Sequence, residues 1–92
     1  MLAAGRRSIG ERVVVFAAPG RGGAAFVAGW KVGGAVERNR AKRVMRAGWS
    51  QLKHAAVEDL DVVVVARAGI RGVGSAEVAR ELADLLRAAV GR

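Results

Sequence analysis

Few side chains in this sequence have the chemistry to make or break bonds. His54 is the only histidine and there is no cysteine. Disulfides, thiolate nucleophiles, zinc–thiolate sites and multi-histidine metal sites are therefore excluded. His54, Ser75 and Asp61 have the residue types of a hydrolytic triad, but nothing in their spacing brings them together, and a triad is defined by geometry. The carboxylates are scattered, with Glu58, Asp59 and Asp61 the one cluster. The sequence thus offers no catalytic residue and no metal site of its own. Gly72-Val73-Gly74 before a helix has the form of a phosphate-receiving turn, although glycine in a loop usually just turns the chain.

What remains is charge. From Arg38 to Val57 there are six cations (Arg38, Arg40, Lys42, Arg43, Arg46 and Lys53) and no acid. On a helix with Arg38 at zero, Trp49, Lys42, Lys53, Arg46, Asn39 and Arg43 fall between about 20° and 140°. Val44, Gly48, Ala41, Leu52 and Met45 fall between about 240° and 340°. The pattern predicts a helix over roughly Val36–Leu52 with one cationic and one apolar face. A solvated helix usually mixes signs at i, i+4, whereas like charges there repel. A polyanion relieves that repulsion, and guanidinium forks suit phosphate. Gly48, on the apolar arc, predicts a close approach to a sheet.

The remaining elements must hold this helix in place. The chain has 92 residues, 52% hydrophobic, with a net charge of +8. This suggests one domain over 1–92, with 1–10 loose. Such an excess of charge favours a polyanionic partner: nucleic acid first, an anionic membrane surface second. The N-terminus lacks the pattern of a signal peptide, and no run is long enough to cross a bilayer, so a cytoplasmic protein is expected. Arg12–Ala17 reads as a strand, Ala18–Gly23 as a turn and Ala24–Val32 as a second strand, together an antiparallel hairpin. Asp61–Ala66 reads as a central strand. Ser75 is the expected N-cap of a last helix, Ala76–Val90, with Val78, Leu82, Leu85, Leu86 and Ala89 as its buried stripe. The order is β-β-α-β-α, an α/β (α+β) two-layer sandwich. Trp30 has two readings, the commoner being the core and the other a platform that stacks on a base.

The stretch Lys31–Arg43, K-V-G-x-A-V-x-R-N-R-x-K-R with Arg46 beyond it, resembles the signature of the bacterial ribonuclease P protein subunit. The strands before it, D-V-V-V-V-A-R (Asp61–Arg67) after it and the closing helix agree in order, so the resemblance covers about Arg12–Ala89. It implies a small mixed sheet with helices packed on it and a left-handed strand–helix–strand crossover. It also implies a non-catalytic subunit, in which a catalytic RNA with Mg2+ removes the 5′ leader of precursor tRNA. Lys31, Arg38, Asn39, Arg40, Lys42, Arg43 and Arg46 would bind RNA, with Lys53 and Arg67 as flanking cations. Phe16 and Trp30 are candidates for a leader cleft. Members usually begin with a further helix, which Met1–Ser8 is too short to supply. No membrane and no protein oligomer is expected. The alternative is a general structured-RNA or ribosome-associated module using the same helix.

Overall fold

The computed structural model describes residues 6–52 and 60–90. Its elements are β1 (Arg6–Ile9), β2 (Val13–Pro19), β3 (Ala24–Val27), a 3-10 turn (Trp30–Val32), α1 (Ala35–Ser50), β4 (Leu60–Ala66), a second 3-10 turn (Ala68–Ile70) and α2 (Ser75–Val90). The strands form one mixed sheet in the order β1-β2-β4-β3. The α+β class, the small mixed sheet and the parallel pair joined through the basic helix agree with the expectation; the strand bounds and the hairpin do not.

Three corrections concern the strands. Arg6–Ile9, expected to be loose, pairs antiparallel with β2, Ser8 opposite Val15. The short polar run Arg6-Arg7-Ser8 has little strand propensity, so its pairing depends on the edge that β2 offers. The second strand ends at Val27 rather than Val32, because Trp30–Val32 coils into the 3-10 turn. The expected β2–β3 hairpin does not form. β4 lies between the two strands, antiparallel to β2 (Phe16 opposite Val63) and parallel to β3 (Ala25 opposite Val63). The run of valines in β4 thereby has both backbone edges paired, which suits a strand apolar on both faces.

The loop that hands β2 over to β3 is held by Asp61. Its carboxylate accepts the backbone N–H groups of Arg21 and Gly23, each at 3.0 Å. Hydrogen bonds to the charged form hold this carboxyl below the ordinary aspartate range.

Alternation in the strands sorts the sheet into two faces. Val13, Val15, Ala17, Val62, Val64 and Ala66 are buried on one face. Against them lie Ala41 and Met45 of α1, Val78, Leu82 and Leu86 of α2, and Val32 and Ile70 of the 3-10 turns. Val78, Leu82 and Leu86 of the α2 stripe are therefore core, as expected, with Ala79 added and Leu85 partly buried; the side chain of Ala89 lies outside the described residues. Glu81 joins α2 to the start of β2. Its carboxylate accepts the N–H groups of Arg12 (2.8 Å) and Val13 (3.1 Å) and the Arg12 guanidinium (3.0 Å).

Ser75 does not cap α2. The first helical bond runs from the Val78 N–H to the Gly74 carbonyl, and Glu77 accepts the Gly74 N–H at 3.1 Å. This is the acidic half of a capping box, with glycine at the cap. The Ser75 hydroxyl instead accepts from the Gln51 amide at 3.0 Å, joining the end of α1 to the start of α2. Gly48 is also corrected: it meets α2, not the sheet. A Cβ there would stand 3.1 Å from the Ala79 nitrogen and 3.2 Å from the Ser75 carbonyl oxygen.

Two outcomes follow from these contacts. Alanine at Gly48 gains about 1 kcal/mol of helix propensity, but its methyl presses on backbone, and overpacking costs about 1–3 kcal/mol. Gly48→Ala should leave the protein no more stable than the parent and up to about 2 kcal/mol less, as read by urea denaturation; a clear stabilisation would mean that the two helices separate freely. For Asp61 the folded pKa is depressed. Its contribution is therefore present above the unfolded carboxylate range and is lost as pH falls below about 4. Thermal melts against pH should show a shallower acid decline for Asp61→Asn, from a lower neutral plateau.

Candidate nucleic-acid interface

α1 begins abruptly. Gly33 sits at φ 143°, a left-handed conformation that favours glycine, and turns the chain out of the 3-10 turn. Gly34 then occupies the N-cap without a side-chain bond. From there the helical period separates the two sides of α1. Ala41, Met45 and Gly48 are buried, and Val44 and Trp49 are partly buried against the core, as is Leu52, which lies in the turn after α1 rather than in the helix as expected. Asn39, Arg43 and Arg46 are exposed, and Arg38, Arg40 and Lys42 are half-buried. The predicted faces are thus present, with Trp49 on the border, its ring edge-on to Phe26 at 6.2 Å. Arg46 reaches over Phe26, its guanidinium 5.8 Å from the ring centroid. A cation on an aromatic face is held without losing its charge.

Among the described residues, no carboxylate forms an ion pair with Arg38, Arg40, Lys42, Arg43 or Arg46. The three ion pairs among the described residues are Arg12–Glu81, Arg71–Glu37 and Arg87–Asp84. Arg38 donates to the Gly33 carbonyl at 3.3 Å, which holds its guanidinium over the start of α1. Five cations on α1 therefore lack a carboxylate partner among the described residues.

The other expected contacts are spread around this helix. Lys31 is exposed on the 3-10 turn before α1, its Nζ 6.0 Å from the Trp30 ring centroid. Arg67 is exposed at the end of β4 and donates to the Gly10 carbonyl at 2.7 Å, beside the β1–β2 connection. Lys53 and His54 lie outside the described residues, as do Glu58 and Asp59. Asp61 and Ser75 are engaged separately, one by the β2–β3 loop and one by Gln51. The described residues contain no group of three or more His, Asp or Glu side chains able to hold a metal ion. Gly74 is taken by Glu77.

Phe16 lies on the face of the sheet that no described helix covers, 40% exposed. Its register neighbours there are Arg7, Val63 and Ala25, and the adjoining row is Ile9, Val14, Val65 and Val27. This apolar strip, in which Ile9 and Val27 are also exposed, escaped the sequence reading because it depends on β4 lying between β2 and β3. Trp30 stands apart from the strip, three residues beyond the end of β3. It is 77% exposed, so the core reading of this residue is corrected: the 3-10 turn buries Val32 and turns the indole outward.

Comparisons with known proteins bear on this arrangement. A family model described as Ribonuclease P matches residues 1–90. The ribonuclease P protein component of Enterococcus faecalis is 41% identical over 61 residues, 66% of this chain and 52% of that protein. The Streptococcus pneumoniae component is 42% identical over 57 residues, 62% of this chain and 46% of that protein. The chain spans about half the length of these curated relatives. Among solved structures, the Thermotoga maritima RNase P protein matches with a TM-score of 0.74 at 25% identity, over 91% of this chain and 83% of that chain. The Staphylococcus aureus RNase P protein gives 0.74 at 22% identity, over 91% and 80%, a likeness of fold.

The uncompensated charge has a measurable effect on the free protein. Arg43 has Arg40 and Arg46 as i−3 and i+3 neighbours, each like-charge pair costing about 0.2–0.5 kcal/mol at low salt. Arg43→Gln, nearly neutral in helix propensity, should raise stability by about 0.5 kcal/mol at low ionic strength. Near 1 M salt, where the screening length is about 3 Å, the gain should disappear. A gain that persists at high salt would point to packing rather than charge.

Proposed function

Because the chain belongs to the Ribonuclease P family, we propose that it acts as the protein subunit of that ribonucleoprotein, binding the catalytic RNA and assisting removal of the 5′ leader from precursor tRNA. The observation that carries this reading is the row of cations on α1 without carboxylate partners among the described residues. Folded RNA brings phosphates close together, and a firm helix that presents guanidinium groups lowers their mutual repulsion. In this reading Arg38, Asn39, Arg40, Lys42, Arg43 and Arg46 contact the RNA subunit. Lys31, Arg67 and Lys53 add to the field.

The protein breaks no bond. In this reading magnesium is held with the RNA subunit. The substrate's leader runs over the uncovered sheet face, where Phe16 and its valine neighbours provide an apolar floor and Arg7 a cation. The protein works as a single copy in the cytoplasm. No described helix is long and apolar enough to cross a membrane.

Binding to a bacterial ribonuclease P RNA tests the proposal. Neutralising about five or six phosphates gives a slope of log K against log salt near −4 to −5. Arg38→Ala and Arg40→Ala should each flatten it by about one unit, and the protein should lower the magnesium needed for cleavage of precursor tRNA. A slope near zero, or equal affinity for unrelated structured RNAs, would overturn the assignment in favour of a general RNA-binding module or none.

A further inference from the structure

We infer that Trp30 is a stacking platform for an unpaired nucleobase of RNA, set beside the backbone-binding cations of α1. The inference rests on the RNA-binding reading above and deepens it by naming a base contact. Tryptophan is a residue that proteins on average bury well, yet Trp30 is 77% exposed, while Val32 two residues on is 1% exposed. The turn that carries the indole is closed by backbone bonds from the Val32 N–H to the Gly29 carbonyl and from the Gly33 N–H to the Trp30 carbonyl, each at 3.1 Å. The ring is therefore mounted on an ordered turn whose other side is anchored in the core.

The chemistry around the ring selects the ligand. Lys31 holds its ammonium 6.0 Å from the indole centroid. Arg38 donates to the Gly33 carbonyl, and the Gly33 N–H is bonded to Trp30, so a guanidinium and the indole share one turn. Glu37 is the acid at this end of α1, and Arg71 approaches it at 3.8 Å. The local balance is cationic. An aromatic face flanked by cations fits a ligand with a flat π surface on an anionic backbone, which describes single-stranded RNA. Val36, 79% exposed in the first turn of α1, adds apolar surface at the same end of the helix. An acidic protein partner would use the cations but has less use for the indole face.

The test compares the intact chain with Trp30→Ala and Trp30→Phe, using a single-stranded oligoadenylate and a bacterial ribonuclease P RNA as probes. Trp30 is largely in water, so neither variant removes core. The oligoadenylate should quench part of the tryptophan emission of the intact chain, and that part should be missing in Trp30→Ala, where Trp49 remains. Affinity for the oligoadenylate should fall about 5- to 150-fold in Trp30→Ala, the range for loss of one base–aromatic stack. Trp30→Phe should stay within a few-fold of the intact chain. Because no charge is removed, the salt slope should be the same in all three proteins.

Equal affinity and equal quenching in the intact chain and Trp30→Ala, with salt-dependent binding of ribonuclease P RNA intact, would overturn this inference alone. If the intact chain binds neither RNA, the proposed function fails with it. Self-association in the absence of RNA that disappears in Trp30→Ala would assign the indole to a contact between copies, also overturning the inference.

Discussion

The structure depends on keeping a helix of like charges seated by a narrow apolar seam. Along α1 the cations repel one another at i, i+3 and i+4 spacing, and nothing among the described residues neutralises them. What opposes that repulsion is Met45, fully buried, Ala41 beside it and Gly48 against the backbone of α2. The small side chains let the helices approach until dispersion and apolar burial outweigh the repulsion. A larger residue at Gly48 would separate the helices, and a carboxylate among the cations would relieve the repulsion at the expense of the proposed RNA contact. Stability and the proposed RNA binding therefore make opposite demands on the two sides of one element.

The sheet answers the same division. β4 in its middle has paired edges and two apolar faces, so each face needs a fate. One receives α1 and α2. The other carries Phe16, Val14, Val63 and Val65 with no described helix over them. The covered face sets the position of the cations and the uncovered one presents a flat apolar surface. Asp61 and Glu81 secure this frame from opposite ends. One gathers the loop that carries the chain from β2 to β3; the other ties α2 to the first residues of β2. Each does so by giving a carboxylate to backbone N–H groups that would otherwise lack a strand partner.

Trp30 shows how little local pattern says about a residue at the end of an element. Phe26, Ala28 and Trp30 alternate as a strand would, and an indole in such a series is normally interior. The chain leaves the sheet after Val27 and coils into a 3-10 turn, which Gly33 at φ 143° follows. Val32 then takes the interior position, and Trp30 is left in water beside Lys31.

Much of this protein could be read from residue order alone. The period of Arg38–Leu52 set the cationic and apolar sides of α1, because helical geometry ties angle to sequence spacing whatever surrounds it. The stripe of α2 and the central role of Asp61–Ala66 were legible for similar reasons: a 3.6-residue repeat and an unbroken β-branched run each allow few environments. Strand partnership was not legible, since nothing local in Arg12–Ala17 or Ala24–Val27 says that a strand more than thirty residues later enters between them. Nor was the pairing of Arg6–Ile9, whose stability comes from the edge it meets. The same holds for the outward indole of Trp30, the seat of Gly48 on α2 and the apolar strip around Phe16. Each depends on which distant backbone arrives alongside, and only the folded chain decides that.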